Sequence, residues 1–494
     1  MNSKKMSRTF IVILVLASLL GLAITHKPLR LHINNALLKL RSLLHKRKPL
    51  TPPEQLIAQE EAWMTVFVHG TFGSLMSLLS AKKVLDDDLK DSRYRMVNKK
   101  MRKDPYFFKD QFILNRGLVA IPTTLDVNLS TSDRFAAFPL SQAYETIAQH
   151  ATAGKEKNLF YTFGWSGLMS QQRRRSEAIR FYNSLAEEQE RLSKEGLKVN
   201  IRIIAHSHGG NLSLNLGGIA KILNASSYKP EQAFSPIYEE HESLKEMFLL
   251  INQLPTQENA FSKKGQKLFD YLPTNKNLVV DELILLGTPI QPETEYFALS
   301  NIFKKIYNFY SSEDIIQQID WFTTKQYYSN QRFHTSIINK AAKKITQVKI
   351  MCDRQSTEQP QTEGKKSSWL EALSSIFTRK TKDPTHKELW FITWKPADND
   401  PNTFFLSPLP AVVLMPMLLN VLGKKPTLTD VDINISKKNN LLHIVLHRHQ
   451  QTFSESSICM PMSLIEAIKE EFKKWEPPDL SEPTGFEAIY RHLM

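Results

Sequence analysis

The chain reads as an α/β protein built on a mainly parallel central sheet flanked by helices. Three observations predict this class. Short apolar runs recur along the chain, separated by longer stretches with apolar residues at helical spacing. Several of those runs are apolar throughout rather than alternating, as in strands buried on both faces, which helices must then cover. The third is a junction, Val199-Asn-Ile-Arg-Ile-Ile-Ala-His-Ser-His-Gly-Gly210, where a β-type run gives way at once to a helical pattern with a serine at the turn.

Taken in order, Pro49 to Pro53 marks a linker, and Trp63-Met-Thr-Val-Phe-Val-His69 is a buried strand bounded by Gly70. Residues 75–150 mix helical patterns with a polar, charged stretch around 86–104. Asn158 to Trp165 is a second strand, Ser170 to Glu195 a long amphipathic helix, and 199–205 the strand before the serine, with a helix after Gly210. Residues 225–277 are polar, carry one amphipathic helix near Glu242–Leu254, and read as an insertion. Further strands are expected at 278–286, ended by Gly287-Thr-Pro289, at 306–311 and at 345–352.

A second insertion covers 354–384, where Trp369-Leu-Glu-Ala-Leu-Ser-Ser-Ile-Phe377 puts its apolar positions on one helical face. That face suits either a lid over a site or a helix packed on the body. Residues 396–494 form a less regular C-terminal extension with a terminal helix. Phe404 to Leu422 is apolar, but Pro408, Pro410 and Pro416 make it a poor membrane-spanning helix. Asp432–Ser436 and Leu441–Leu446 around Lys437-Lys-Asn-Asn440 read as a β-hairpin. There is no internal repeat.

Of 494 residues, 41% are hydrophobic and 23% charged, enough to bury a large core. Two cysteines, Cys352 and Cys459, exclude a disulfide-dense scaffold and a cysteine-based zinc site. The net charge of +14 is concentrated: residues 1–50 hold ten Lys and Arg and no Asp or Glu. The body is therefore only mildly basic, which argues against a nucleic-acid partner and for a membrane-directed N-terminus. Lys4, Lys5 and Arg8 precede an uncharged run from Phe10 to Thr25, about 24 Å long as a helix. The run suits a membrane anchor, or a signal peptide cleaved near Gly21-Leu22-Ala23, which would leave the protein secreted. Leu29, Ile33, Leu37, Leu40 and Leu44 then form one face of a basic amphipathic helix, suited to an anionic lipid surface or to packing on the domain.

Chemistry converges on the serine. A strand-to-helix turn this sharp forces its central residue into a strained backbone region and demands small neighbours two positions away on each side. Ala205 and Gly209 meet that demand around Ser207. A serine hydroxyl needs a base, a group that orients the base, and donors for the oxyanion. The oxyanion donors assigned are the N–H groups of Thr71, with Phe72 as second choice, and of His208. Asp314, just past the 306–311 strand, is the acid candidate, with Glu313 and Asp320 as competitors; each of the three would equally serve as a helix cap. His386 follows the 345–352 strand and is the candidate base, with His334, His443, His447 and His449 as alternatives. The reading calls for no cofactor and no metal.

The strand ending in His69-Gly70, the turn Ala-His-Ser-His-Gly-Gly, the strand ending in Leu-Gly-Thr-Pro and the segment Asn-Phe-Tyr-Ser-Ser-Glu-Asp together resemble the α/β-hydrolase superfamily, particularly its lipase-like and esterase-like branches. The resemblance covers about residues 60–395. It implies the α/β-hydrolase fold and a serine hydrolase mechanism through Ser207, Asp314 and His386, in the chain order that fold uses. Two departures stand out: Ala205 replaces the first glycine of the turn, and the stretch before His386 is unusually long. An acyl ester or lipid is the expected substrate. An acyltransferase or thioesterase with the same residues, or a non-catalytic interaction module on the same fold, are the competing classes.

Overall fold

In a computed structural model, residues 60–70, 117–123, 137–154, 156–165, 167, 171–224, 238–260, 269–314, 317, 329–341, 343–352, 383–386, 388–392, 404, 406–424, 429–448 and 454–475 are described. The elements are β1 (Glu60–Val68), β2 (Gly117–Ala120), α1 (Ala137–Thr152), β3 (Asn158–Gly164), α2 (Gln171–Lys194), β4 (Leu197–His206) and α3 (His208–Asn224). Then come α4 (Tyr238–Asn252), β5 (Val280–Leu286), α5 (Pro292–Glu295), β6 (Phe303–Ser311), α6 (Thr335–Lys340) and β7 (Ile345–Cys352). The last are α7 (Met415–Gly423), β8 (Asp430–Lys438), β9 (Leu441–Arg448), β10 (Ser454–Pro461) and α8 (Met462–Lys473).

The described strands form one ten-stranded sheet in the order β10-β9-β8-β7-β6-β5-β4-β1-β3-β2. From β3 to β8 every neighbouring pair is parallel; β2 on β3, β9 on β8 and β10 on β9 are antiparallel. The apolar runs are explained by two cores, one on each face. Along β4, Ile201, Ile203 and Ala205 enter one core and Ile204 the other; along β5, Leu283 and Leu285 part from Ile284 and Leu286 in the same way. Residues of α2 and α3, such as Phe181, Leu212 and Leu216, close the first core, and residues of α1 and α7, such as Tyr144, Met415 and Leu418, close the second.

β1 lies between β3 and β4. The chain leaves β1 towards β3 and returns to β4 on the other side, so the strand order reverses at the β1/β4 pair. Loops leaving the C-terminal ends of two such strands diverge and open a crevice, the usual place for a ligand on a parallel sheet.

The strand at 345–352 is where the sequence predicts it, and the others differ only at their ends. The apolar, proline-bearing stretch 404–422 is core: Phe404, Leu406, Leu409 and Val412 lead through a tight turn into α7, all buried. Pro416 falls in the first turn of α7, where its missing N–H interrupts no helical bond. The hairpin is present as β8 and β9, closed by Asn439 and Asn440 at φ +49° and +59°. It does not stand apart, because β8 pairs in parallel with β7 from Gln347↔Asp430 to Cys352↔Ile435 and carries the sheet onward. α1 falls in the 75–150 stretch where the sequence shows helical patterns, and β2 and β10 have no counterpart in the sequence reading.

No helix among the described residues is long and apolar enough to cross a membrane. Residues 1–50, the 369–377 segment, Thr71, Phe72, Asp320 and His449 lie outside the described residues.

Candidate active site

β4 ends at His206 and α3 begins at His208, so the whole reversal from strand to helix falls on Ser207. Its φ is +52°, a conformation that costs a residue with a Cβ about 1–3 kcal/mol. Neighbours hold it there: the Ser207 N–H donates to the Leu286 carbonyl at 2.9 Å, and the Ser207 carbonyl accepts the Gly210 N–H at 2.9 Å. α3 can start this close to β1 only because position 209 is glycine; a Cβ there would run into the backbone carbonyl of His69. Ala205 is fully buried within the sheet core, so a small residue on that side serves packing as well as the turn.

Asp314 lies three residues past β6 and is fully buried. Both of its carboxylate oxygens lie 2.9 Å from Nδ1 of His386, and Oδ1 also accepts the Gln317 N–H at 3.2 Å. The turn after β5 makes room for this pair. Gly287, at φ +57°, presents its open face there: a Cβ would stand 2.6 Å from Asp314 Oδ2 and 3.1 Å from His386 Nδ1.

His386 sits on a short segment bound at several points. Asp383 accepts the Cys352 N–H at 2.9 Å and the Ser312 hydroxyl at 2.5 Å, tying the segment to the end of β7 and to the loop that carries Asp314. The Glu388 carboxylate accepts both the N–H and the hydroxyl of Thr385 at 2.9 Å. The His386 carbonyl lies 3.1 Å from Nε2 of His206, and the two imidazole rings are 4.4 Å apart at their centres. Asp314 and His386 thus meet at the C-terminal edge of the parallel strands, the edge at which Ser207 also leaves β4. Because Nδ1 of His386 is taken by Asp314, Nε2 is the nitrogen left for other work.

The competing residues stand elsewhere. Glu313 is half-buried, and the carboxylate that faces His386 Nδ1 is that of Asp314. His334 caps α6, its Nδ1 facing the Ser336 N–H at 3.3 Å. His443 lies against the thiol of Cys459 at 3.1 Å on β9, which is separated from β4 by β8, β7, β6 and β5. His447 is on the same strand.

At the β1 end, His69 is fully buried and stacks on Trp165 with ring centres 5.4 Å apart. Its Nε2 accepts the Trp165 N–H at 3.2 Å, so Nδ1 carries the proton that reaches the Gly70 carbonyl at 2.7 Å. The Trp165 indole N–H donates to the His69 carbonyl at 2.8 Å. This locks the loop after β1 to the end of β3. His208 is the first residue of α3, among those whose N–H groups have no acceptor within the helix. Its ring accepts from the buried Arg174 guanidinium at 2.8 Å, and Arg174 also donates to Gln291 at 2.9 Å.

Sequence reasoning did not single out His206, Trp165, Asp383 or the space left by Gly287. His206 is visible beside the serine, but nothing in the sequence says that its ring turns onto His386. It is buried, and burial first, then the neighbouring His386, holds its pKa well below the ordinary 6.5, so it stays neutral.

Fold and site together define an α/β protein whose parallel strands bring a strained serine and a carboxylate–histidine pair to one edge of the sheet. A scan against protein-family models, a search of curated proteins and a search of solved structures each found no match.

Proposed function

We propose that the chain is a serine hydrolase of the α/β-hydrolase type, cleaving acyl ester bonds with Ser207 as nucleophile, His386 as base and Asp314 as the group that orients and charge-stabilises the base. The observation that carries this reading is the placing of Ser207, at φ +52° on a strand-to-helix turn, on the same sheet edge as the Asp314–His386 pair. The strand order β3-β1-β4-β5-β6-β7, with the serine after β4, the acid after β6 and the histidine after β7, supports the hydrolase form of the fold.

In the proposed reaction Nε2 of His386 takes the Ser207 hydroxyl proton as Oγ attacks the ester carbonyl. The oxyanion that forms is met by the His208 N–H at the positive end of α3, and by the Thr71 N–H as the second donor expected from the sequence. The His386 imidazolium, held by buried Asp314, returns the proton to the alcohol as the C–O bond breaks. Water, deprotonated by the same histidine, then releases the acid from Ser207. A lipid substrate and membrane association rest on the apolar and basic residues 1–50, read from sequence.

A fluorophosphonate probe tests the nucleophile. Labelling of the wild type that disappears in Ser207→Ala is expected; a folded wild type that stays unlabelled refutes catalysis. Turnover of p-nitrophenyl esters should fall roughly 10²–10⁴-fold in His386→Ala and be unchanged in His443→Ala. A gain with long-chain esters above the micelle concentration supports a lipid substrate; its absence refutes that part alone.

A further inference from the structure

His206 has a role that the proposed reaction does not assign. It belongs to the rigid end of β4 and is 1% exposed, so it cannot meet a substrate. Its environment is made largely by the segment that carries the base. Trp390 stacks on its face, with centres 5.3 Å apart and planes at 12°; Phe391 meets it edge-on at 5.5 Å; and the His386 ring lies 4.4 Å away. Among the described residues a polar bond joins strand and segment here, from His206 Nε2–H to the His386 carbonyl at 3.1 Å.

Among the described residues the other ring nitrogen, Nδ1, is buried without a hydrogen-bond partner and faces Gly70, 3.1 Å from where a Cβ on that residue would stand. A buried, unpaired nitrogen is destabilising, and a phenyl ring of similar size would fill the space without that cost. The polar ring is therefore accounted for by its bond to the His386 carbonyl. That bond also sets the tautomer, because a proton on Nε2 leaves Nδ1 as the bare nitrogen.

We infer that His206 is a positioning residue for His386: its Nε2–H holds the His386 backbone carbonyl and, with Trp390, seats the base-bearing segment so that the imidazole stands between Asp314 and Ser207. The inference rests on His386 being the base. Asp383 and Glu388 bind the same segment, but to the end of β7 and to Thr385. His206 ties it to the strand that ends at the nucleophile, so this bond links the base-bearing segment to the serine turn. A neutral ring suits this place, since a charged one would repel the imidazolium that His386 becomes during the reaction.

Three substitutions in the full chain separate donor from packing. His206→Phe keeps the ring and its stacking and removes the donor. His206→Gln keeps an N–H near the Nε2 position, and His206→Asn has an amide too short to reach the carbonyl. Ester hydrolysis in His206→Phe and His206→Asn should lose roughly tenfold to a hundredfold in kcat, with KM within about twofold of wild type. His206→Gln should recover most of that loss. Wild-type kcat in His206→Phe overturns the inference, as does an equal loss in Gln and Phe variants.

A second readout needs no turnover. The downfield proton NMR signal of the Nδ1–H shared by His386 and Asp314, assigned by its disappearance in His386→Ala, should persist in His206→Gln and broaden or vanish in His206→Phe. An unchanged signal in His206→Phe overturns the inference. A His386→Ala protein that hydrolyses esters like the wild type refutes the base assignment instead, and leaves the resonance as the measure of His206.

Discussion

At the scale of single residues, the site depends on side chains that are missing as much as on those present. Gly287 combines a left-handed backbone with contact against both members of the Asp314–His386 pair. In Gly287→Ala the methyl group must displace the carboxylate or the imidazole, and the backbone must hold an L-residue at φ +57°. The expected result is a kcat/KM loss of the order of a hundredfold, mostly in kcat, with a stability loss of about 1–3 kcal/mol in urea unfolding. Near-wild-type turnover would show that the pair does not need its present position.

His206 gives the fold a pH dependence. It is held neutral in the folded protein but takes up a proton near its ordinary pKa of 6.5 once unfolded. Its contribution to stability is therefore complete above about pH 6.5 and is lost as the pH falls below that value. As the pH falls below about 6.5 the wild type should lose stability more steeply than His206→Phe, measured by urea unfolding. Parallel pH curves for the two proteins would contradict this.

At the scale of elements, strands that sequence marks as apolar end where the sheet needs them to end. His69-Gly70, Ser207, Gly287 and the Ser311–Asp314 loop all leave the same edge because β1, β4, β5 and β6 run parallel. The β8–β9 hairpin is closed by two residues with positive φ, the pattern of a turn that favours Asn followed by Gly. Asn440→Gly should raise stability by about 0.5–1 kcal/mol, whereas Asn440→Val should lower it by at least as much, read from thermal midpoints. The elements that escaped the sequence reading have physical reasons for doing so. β2 is only four residues long, too short for a period to register. β10, Ser-Glu-Ser-Ser-Ile-Cys-Met-Pro, is an edge strand whose polar half resembles a loop.

At the scale of the whole molecule, residues beyond 395 complete the fold. Met415, Leu418, Val431, Ile433, Leu442 and Ile444 share one core with Phe67 and Ile204 from the site-bearing strands. Each buried side chain of this kind contributes about 1.5–3 kcal/mol, so together they match the 5–15 kcal/mol that holds a typical domain folded. A chain truncated after residue 395 should therefore show no cooperative urea transition and should accumulate as insoluble protein. A soluble truncated form with a wild-type transition would prove the C-terminal strands dispensable.

The sequence by itself determined the α/β class, most of the central strands, and the serine turn with its small neighbours. These are local matters, set by side-chain period and by what a backbone can do at one residue. It proposed Asp314 and His386 but left Glu313, Asp320 and four other histidines open, since a role that depends on meeting residues about a hundred positions away leaves no local mark. Only the tertiary structure decided which carboxylate lies against which imidazole, that Gly287 keeps their space clear, and that His206 turns its ring onto the segment bearing the histidine. It also decided that the apolar stretch 404–422 fills the core under the sheet. Burial and contact are properties of the packed chain, and packing is settled by the whole fold at once.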